Sequence, residues 1–421
     1  MNEAGEYCLN LSFMQRSGVE PSQNNPEVSR CQLYLMKIEE KVEKVHFNLY
    51  KSNQSMRMMK DIFQYQENGL ILEVFSNASK IRINKETGEL LACYFHGQQL
   101  WDHELTDAEH GLRLNLFRAY TDNDIHSQMA RKQGGWLDMQ LDKMSCIKSS
   151  ANILMQKEKI FAMQAEQIFE LGQGKRILSD LLYVLLPDGF IQIQYYVRLE
   201  ESIDSLPRIG YTLGLNRTLG KKIWYGRGPQ ENYCDRKAAS DLGIWEKSLN
   251  EGLSYYEKPQ AMGNHEDTRW LVLLPDQGTQ GYLFTGSIPF SHTLLPYEEN
   301  ALYRSCHIGT VEEGEAVVLS LDGKHAGLGN ASCGQDPMMQ YRVMMESMDG
   351  EWCISPVQSS NVTACNDKVR EHNKVREMLK DVAPKLSDVL NVNVETRIRE
   401  AVKEGQQFDP SDEKIRRKAG F

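Results

Sequence analysis

The feature that most constrains this chain is a long succession of short apolar segments with a two-residue period. Ile191, Ile193, Tyr195, Val197 and Leu199 alternate with polar residues, the pattern of a strand with one face buried. Leu70, Leu72 and Val74 alternate in the same way, and Ile81 and Ile83 follow. The apolar run over residues 181–186 stops at Pro187, Asp188 and Gly189, which predicts a hairpin turn. Gly88 closes a second turn, where a positive φ is expected. More strands are expected over residues 209–215, 270–274, 281–285 and 316–321. From about residue 60 to 357 helical periodicity is weak, and the best short helix is expected over residues 127–133. Strands at this density imply a large antiparallel β-sandwich.

The two ends differ from the middle. Tyr7, Leu9, Leu11 and Phe13 alternate as a half-buried strand, residues 18–26 form a polar loop, and residues 28–35 suggest a second strand. Two strands alone are marginal in water, so the chain is expected to start inside a domain. Residues 37–44 form a charged connector. In the tail, Val375, Met378, Leu379 and Val382 recur at helical spacing, Pro384 interrupts, and Val394, Ile398 and Val402 resume. Two short amphipathic helices are expected there. They would dock on the sandwich, bind a partner or stay disordered.

Composition bounds the function. The 421 residues carry a net charge of −10, which suits neither nucleic acid nor an anionic membrane surface. No stretch approaches the roughly 20 apolar residues of a membrane helix. The first residues lack a basic and apolar leader. Nine widely spaced cysteines without a CxxC pair suggest reduced thiols in a cytoplasmic protein. Asn77 begins a sequon that is a chance match in such a setting. No GxSxG elbow, Walker A loop or HExxH helix occurs. Strand–helix alternation is absent, so no pair of carboxylates is placed as a βα barrel would place it. His103 and His110 read as surface histidines.

Two segments stand out. One runs from Ile223 through Trp224, Gly226, Arg227, Gly228, Pro229, Glu231, Asn232, Tyr233, Asp235 and Arg236. Its aromatics and polar groups would suit a sugar. Equally, Gly and Pro shape a sharp turn, and Glu231, Asp235 and Arg236 could form a buried network that holds loops. The other, residues 327–334, is a Gly-rich loop without the following helix that a phosphate cradle needs.

These segments resemble motifs of the β-galactosidases of glycoside hydrolase family 2. Trp224 to Arg236 resembles WxGxGPxENYxDR, and Phe117 to Asp124 resembles FWRAPTDND. Pro207 to Gly210 matches PRIG, and Lys258 to Trp270 resembles the PQENGN…RW segment. Residues 327–334 resemble GxGxxSCG. The resemblance implies a galactose-mutarotase-like antiparallel β-supersandwich over residues 56–358. It implies the end of an immunoglobulin-like domain plus linker over 1–55, and leaves a charged helical tail over 359–421. It implies no catalytic residue and no metal site in this chain: a barrel on a preceding domain or partner chain carries the catalytic carboxylates and binds Mg and Na. The last domain lends rim segments 122–127 and 330–334 to the pocket, with Asp122, Asn123, Asp124, His126, Asn330, Ser332 and Cys333 at the substrate rim. Cys333 stands where other members have Trp or Cys, and a Trp there could stack on sugar whereas Cys cannot; His126 stands where many have Gly, and Ala261 where Glu is usual. Trp224, Arg227, Glu231, Asn232, Asp235 and Arg236 form the structural motif.

The expected function is thus a small subunit or C-terminal portion of a β-galactosidase acting on terminal β-galactosides such as lactose, with a barrel-containing large chain as partner and a possible oligomer. The alternatives are an inactive gene fragment, or a free-standing carbohydrate-binding or aldose-epimerase-like protein. For an epimerase, His265, Glu266 and His325 are the acid–base candidates by residue type.

Overall fold

A computed structural model describes residues 5–14, 27–38, 62–102, 111–200, 203–344, 347–358 and 362–390. The expectations for residues 18–26, for His103 and His110, and for Val394, Ile398 and Val402 lie outside these. The chain forms two compact units, Met1–Ser52 and Asn53–Phe421.

The first unit is an antiparallel hairpin of β1 (Gly5–Met14) and β2 (Glu27–Ile38). The expected half-burial does not hold. Leu9, Leu11 and Phe13 on β1 and Leu33, Tyr34, Leu35 and Met36 on β2 are all exposed. A two-stranded ribbon has no second layer to cover its apolar side chains.

The second unit is mainly antiparallel β with few helices. A five-stranded sheet runs in sequence order through β3 (Gln64–Asn68), β4 (Ile71–Phe75), β5 (Ser79–Asn84), β6 (Leu90–Phe95) and β7 (Gln98–Asp102). A twelve-stranded sheet begins with β8 (Arg113–Asn115), β9 (Ser145–Gln156), β10 (Phe161–Glu170), β11 (Arg176–Leu185), β12 (Ile191–Leu199) and β13 (Arg208–Leu215). It continues through β14 (Lys221–Gly228), β15 (Asp241–Ser248), β16 (His265–Leu274), β17 (Gly281–Leu295), β18 (Val317–His325) and β19 (Ser347–Val357). Its main path is β15-β14-β16-β17-β19-β12-β11-β10-β9, and β8, β13 and β18 branch from it. The branch point is the long β17. Its first half pairs with β19 and its second half, from Ser291, with β18.

Burial follows the sequence pattern strand by strand. On β11, Leu181, Tyr183 and Leu185 face the main core, where Leu72, Val74, Ile81, Ile83 and Phe95 of the small sheet also pack. Leu182 and Val184 face the other way, into a second cluster. Burial on both faces accounts for the unbroken apolar run of β11. Gly189 takes φ +92 at the following hairpin, and a Cβ there would lie 2.7 Å from the Phe95 ring. Gly88 takes φ +72.

The second cluster is capped by the tail. Four short helices, α1 (Asp122–His126), α2 (Gln128–Arg131), α3 (Trp136–Met139) and α4 (Glu299–Arg304), lie between strands. In the tail, in place of a short helix, α5 spans 21 residues (Val362–Val382), and α6 (Leu386–Val389) follows Pro384. Leu379 and Leu386 pack with Leu182, Val184 and Phe190. Between α5 and the sheet runs a polar seam. His372, fully buried, reaches Thr285 Oγ1 (2.9 Å) through Nδ1 and Ser355 Oγ (2.6 Å) through Nε2. Arg376 pairs with Glu351 at 2.6 Å and donates to the Thr285 carbonyl at 3.0 Å. Among the described residues no helix is long and apolar enough to cross a membrane.

Candidate functional site

The two expected rim segments come together around a buried arginine. Arg118 follows β8 and has no solvent exposure. Its Nε and Nη2 donate to the two Asp124 carboxylate oxygens at 3.0 and 2.7 Å. Its Nη1 and Nη2 also donate to the carbonyls of Ala326 (2.6 Å) and Gly327 (3.1 Å). One side chain therefore ties residues 122–127 to the start of the Gly-rich loop. Burial alone would weaken the Arg118 charge; Asp124 more than offsets this and holds its pKa above the ordinary value.

Residues 122–127 are not an open loop. Asp122–His126 is a one-turn helix, α1, and Gln128–Arg131 forms α2 directly after it. The expected helix over 127–133 thus starts earlier and is broken at Ser127. The reason is local. Thr121 Oγ1 accepts from the Asp124 N–H at 3.2 Å while Asp124 accepts from the Thr121 N–H at 3.0 Å, a reciprocal cap. Ser127 then caps α2 by accepting from the Ala130 N–H.

Gly329 is where the pieces converge. Its N–H donates to Asp235 at 2.8 Å, and Asp235 also accepts from the Leu328 N–H at 3.1 Å. Its carbonyl accepts from Asn123 Nδ2 (3.0 Å) and Arg236 Nη2 (2.6 Å). Asn123 Oδ1 accepts from the N–H and hydroxyl of Ser332 at 3.0 and 2.7 Å. The backbone at Gly329 sits at φ +63, and a Cβ would lie 2.5 Å from Pro337. Only glycine satisfies both demands.

The turn after β14 is a brace for other loops. Arg227 pairs with Asp267 at 2.9 Å. Glu231 accepts from the Gly263 N–H at 2.6 Å and from the Tyr256 hydroxyl. Asn232 accepts from the Glu266 N–H at 2.9 Å and donates through its N–H to the Asn264 carbonyl. Trp224 is buried and donates to the Arg227 carbonyl at 3.0 Å. Glu231, Asp235 and Arg236 each hold a loop backbone, and not one another as one network.

The expected rim residues therefore divide. Asp124 is 1% exposed with both oxygens engaged by Arg118 and Thr121, which corrects its placement at the rim: it positions the helix instead. Asn123 is half-buried and occupied with the neighbouring loop. Asp122, His126, Asn330, Ser332 and Cys333 are exposed. Asp122 lies 3.5 Å from Lys258, and His126 Nδ1 lies 2.8 Å from the Asp122 carbonyl.

Sequence reasoning missed a second buried network beside this one. Arg208 pairs with Asp322 through two nitrogens and with Glu299 at 3.0 Å, and Glu299 accepts from the Ala119 N–H at 2.7 Å. An arginine inside a strand-like stretch, as at Arg118 and Arg208, was the available signal. The epimerase candidates do not assemble. His265 stacks on His292 and packs at a tilt against Trp224, whereas Glu266 is held by Ser291 and Asn264. His325 packs on Tyr233, and neither histidine is hydrogen bonded to a carboxylate. Burial holds both histidines well below the ordinary range and pushes Glu266 up. Among the described residues no three His, Cys, Asp or Glu side chains form a metal-binding group.

Residues 76–354 match the family model described as β-galactosidase small chain. A β-galactosidase of Priestia megaterium is 29% identical over 220 residues, covering 52% of this chain and 20% of that protein. One of Actinobacillus pleuropneumoniae is 24% identical over 347 residues, covering 82% of this chain and 31% of that protein. The chain thus spans about a fifth to a third of the length of these curated relatives. Among solved structures, a galactose 1-epimerase from Lactobacillus acidophilus NCFM superposes with a TM-score of 0.39 and 8% identity, covering 71% of this chain and 99% of that one. A glycoside hydrolase family 97 enzyme from Pseudoalteromonas gives 0.34 and 8%, covering 71% and 36%. Both likenesses are too loose to assign an activity. The family match extends over most of the larger unit and contains every residue of the Arg118 and Gly329 assembly: this chain belongs to the β-galactosidase small-chain family.

Proposed function

We propose that this chain is the non-catalytic small subunit, or C-terminal portion, of a cytoplasmic β-galactosidase of glycoside hydrolase family 2. Its partner is a barrel-containing large chain that hydrolyses terminal β-D-galactosides such as lactose. The observation that carries this reading is the Arg118–Asp124–Asn123–Gly329–Ser332 assembly. It spends buried charge and backbone hydrogen bonds on fixing two short exposed segments against each other. Such a fixed pair of exposed segments suits the edge of a pocket whose floor another body supplies.

In this reading the large chain runs the retaining reaction, forming and then hydrolysing a glycosyl-enzyme intermediate through its own carboxylate pair. Asp122, His126, Asn330, Ser332 and Cys333 face the sugar or its leaving group from the rim. In this reading Mg and Na belong to the barrel, as the family resemblance implies. The exposed apolar side chains of the β1–β2 hairpin support completion by further strands through β-augmentation.

The rim role is tested with Asn123→Ala and Ser332→Ala in the complex with the large chain. Loss of the Asn123 tether loosens residues 330–334, so KM for a nitrophenyl β-galactoside is expected to rise about three- to tenfold. Unchanged kinetics in both variants would sink the rim assignment.

A further inference from the structure

The small sheet has a second face that the family role does not use. Leu72, Val74, Ile81, Ile83 and Phe95 point into the core. The opposite face of β4 to β7 holds a groove of about 390 Å³, lined by Glu73, Asn77, Lys80, Arg82, Tyr94 and Asp102 among others. Strand register builds it. Glu73, Arg82, Ala92 and Asp102 are successive cross-strand partners over four strands, with the smallest side chain between Arg82 and Asp102. The adjacent row places Lys80 opposite Tyr94. One end is fixed by Ser76, whose hydroxyl donates to the Pro187 carbonyl at 2.5 Å and accepts from the N–H groups of Ala78 and Ser79.

The lining chemistry selects a class of ligand. Glu73 pairs with Lys80 at 3.1 Å and lies 3.6 Å from Arg82, and Asp102 accepts from the Tyr94 hydroxyl. Two acids face two bases, so the groove has no net charge to reward an ion. It has instead carboxylate acceptors, cationic and amide donors, and a half-buried tyrosine ring. That mixture matches hydroxyl groups on the edges of a sugar and C–H groups on its face. The volume falls within the range of small-molecule pockets, about 300–1,000 Å³.

We propose that this groove is a binding site for a neutral saccharide of one or two rings. It shares no residue with the rim around Gly329, and it requires no large chain.

The test is calorimetric titration of the whole chain, alone, with lactose, maltose and sodium sulfate. Either sugar is expected to bind and sulfate is not. Tyr94→Ala is expected to weaken sugar binding about tenfold, the scale of one aromatic contact, while Tyr94→Phe keeps most of it. Asn77→Ala, at an exposed position that leaves the sheet intact, is expected to weaken it about threefold. Failure of both sugars to bind, binding of sulfate in their place, or affinities unchanged in Tyr94→Ala and Asn77→Ala would each overturn the proposal. The titration contains no large chain, so its outcome is independent of the subunit role.

Discussion

At the scale of single residues, Gly329 concentrates more constraint than its side chain suggests. Asp235, Asn123 and Arg236 all bind its peptide groups, and Pro337 closes the space where a Cβ would go. Gly329→Ala is expected to destabilise the chain by about 1–3 kcal/mol, read as a lower urea midpoint. Asp124→Asn is expected to cost more, about 3 kcal/mol, because it leaves the buried Arg118 charge without its ionic partner. A midpoint unchanged in Asp124→Asn would contradict the positioning role. Lys222 tests burial from the other side. It is 1% exposed, lies 5.0 Å from the centre of the Trp224 ring, and burial pushes its pKa down to about 7, with Lys247 adding to the shift and Glu231 opposing it. Unfolded, the amine titrates near 10.5. Between these values the unfolded chain binds more protons, so this group makes stability rise with pH from about 7 to about 10.5. Lys222→Met is therefore expected to flatten that rise and to stabilise the protein at pH 7 by on the order of 2 kcal/mol. A Lys222→Met protein that keeps the wild-type slope in urea titrations would show the slope arises elsewhere.

At the scale of elements, the strands and the helical character of the tail were legible; the length of the tail helix, what it covers and the placement of the short helices were not. The alternation in β12 and the Pro187–Gly189 turn depend on local periodicity and local φ, so the sequence displays them directly. The cap of α1 between Thr121 and Asp124 is local, three positions apart, whereas its anchoring through Arg118 to Ala326 and Gly327 spans about two hundred positions. No periodicity reports such a pairing. The same holds for the candidate site: the Gly-rich loop was visible as a loop, and its convergence on Asn123 and Asp235 was not. The tail pattern revealed an apolar stripe without saying what it covers. The stripe covers β10 to β12, and the polar seam at His372 adds a pH dependence. Burial, reinforced by Arg376 and Lys368, holds His372 well below its ordinary 6.5. Its contribution is fully present above pH 6.5 and is lost as pH falls from there toward the folded pKa. Hydrogen exchange of α5 amides, corrected for intrinsic rates, is expected to show a smaller opening free energy at pH 5.5 than at 7.5, roughly one unit and one unit either side of the histidine value. His372→Gln is expected to remove that difference. A difference that survives the substitution would place the titrating group elsewhere on the sheet.

At the scale of the whole molecule, two facts point outward. The chain spans 20% and 31% of the length of the Priestia megaterium and Actinobacillus pleuropneumoniae β-galactosidases to which it is similar. The β1–β2 hairpin, considered by itself, exposes apolar residues on both strands. A domain can be stable and still be functionally incomplete. Here the larger unit has a core that runs from Phe63 to Ile354, and in the proposed role its segments 122–127 and 330–334 border a site whose carboxylate pair the large chain supplies. We propose that function belongs to a complex, in which this chain holds Asp122, His126, Asn330, Ser332 and Cys333 in fixed relation at its surface. The decisive measurement is release of nitrophenol from a nitrophenyl β-galactoside by the barrel-containing large chain, titrated with this chain. Activity is expected to rise with added chain and saturate at equal stoichiometry, and this chain alone is expected to show none. Equal activity of the large chain at every ratio, or turnover by this chain in isolation, would contradict the account.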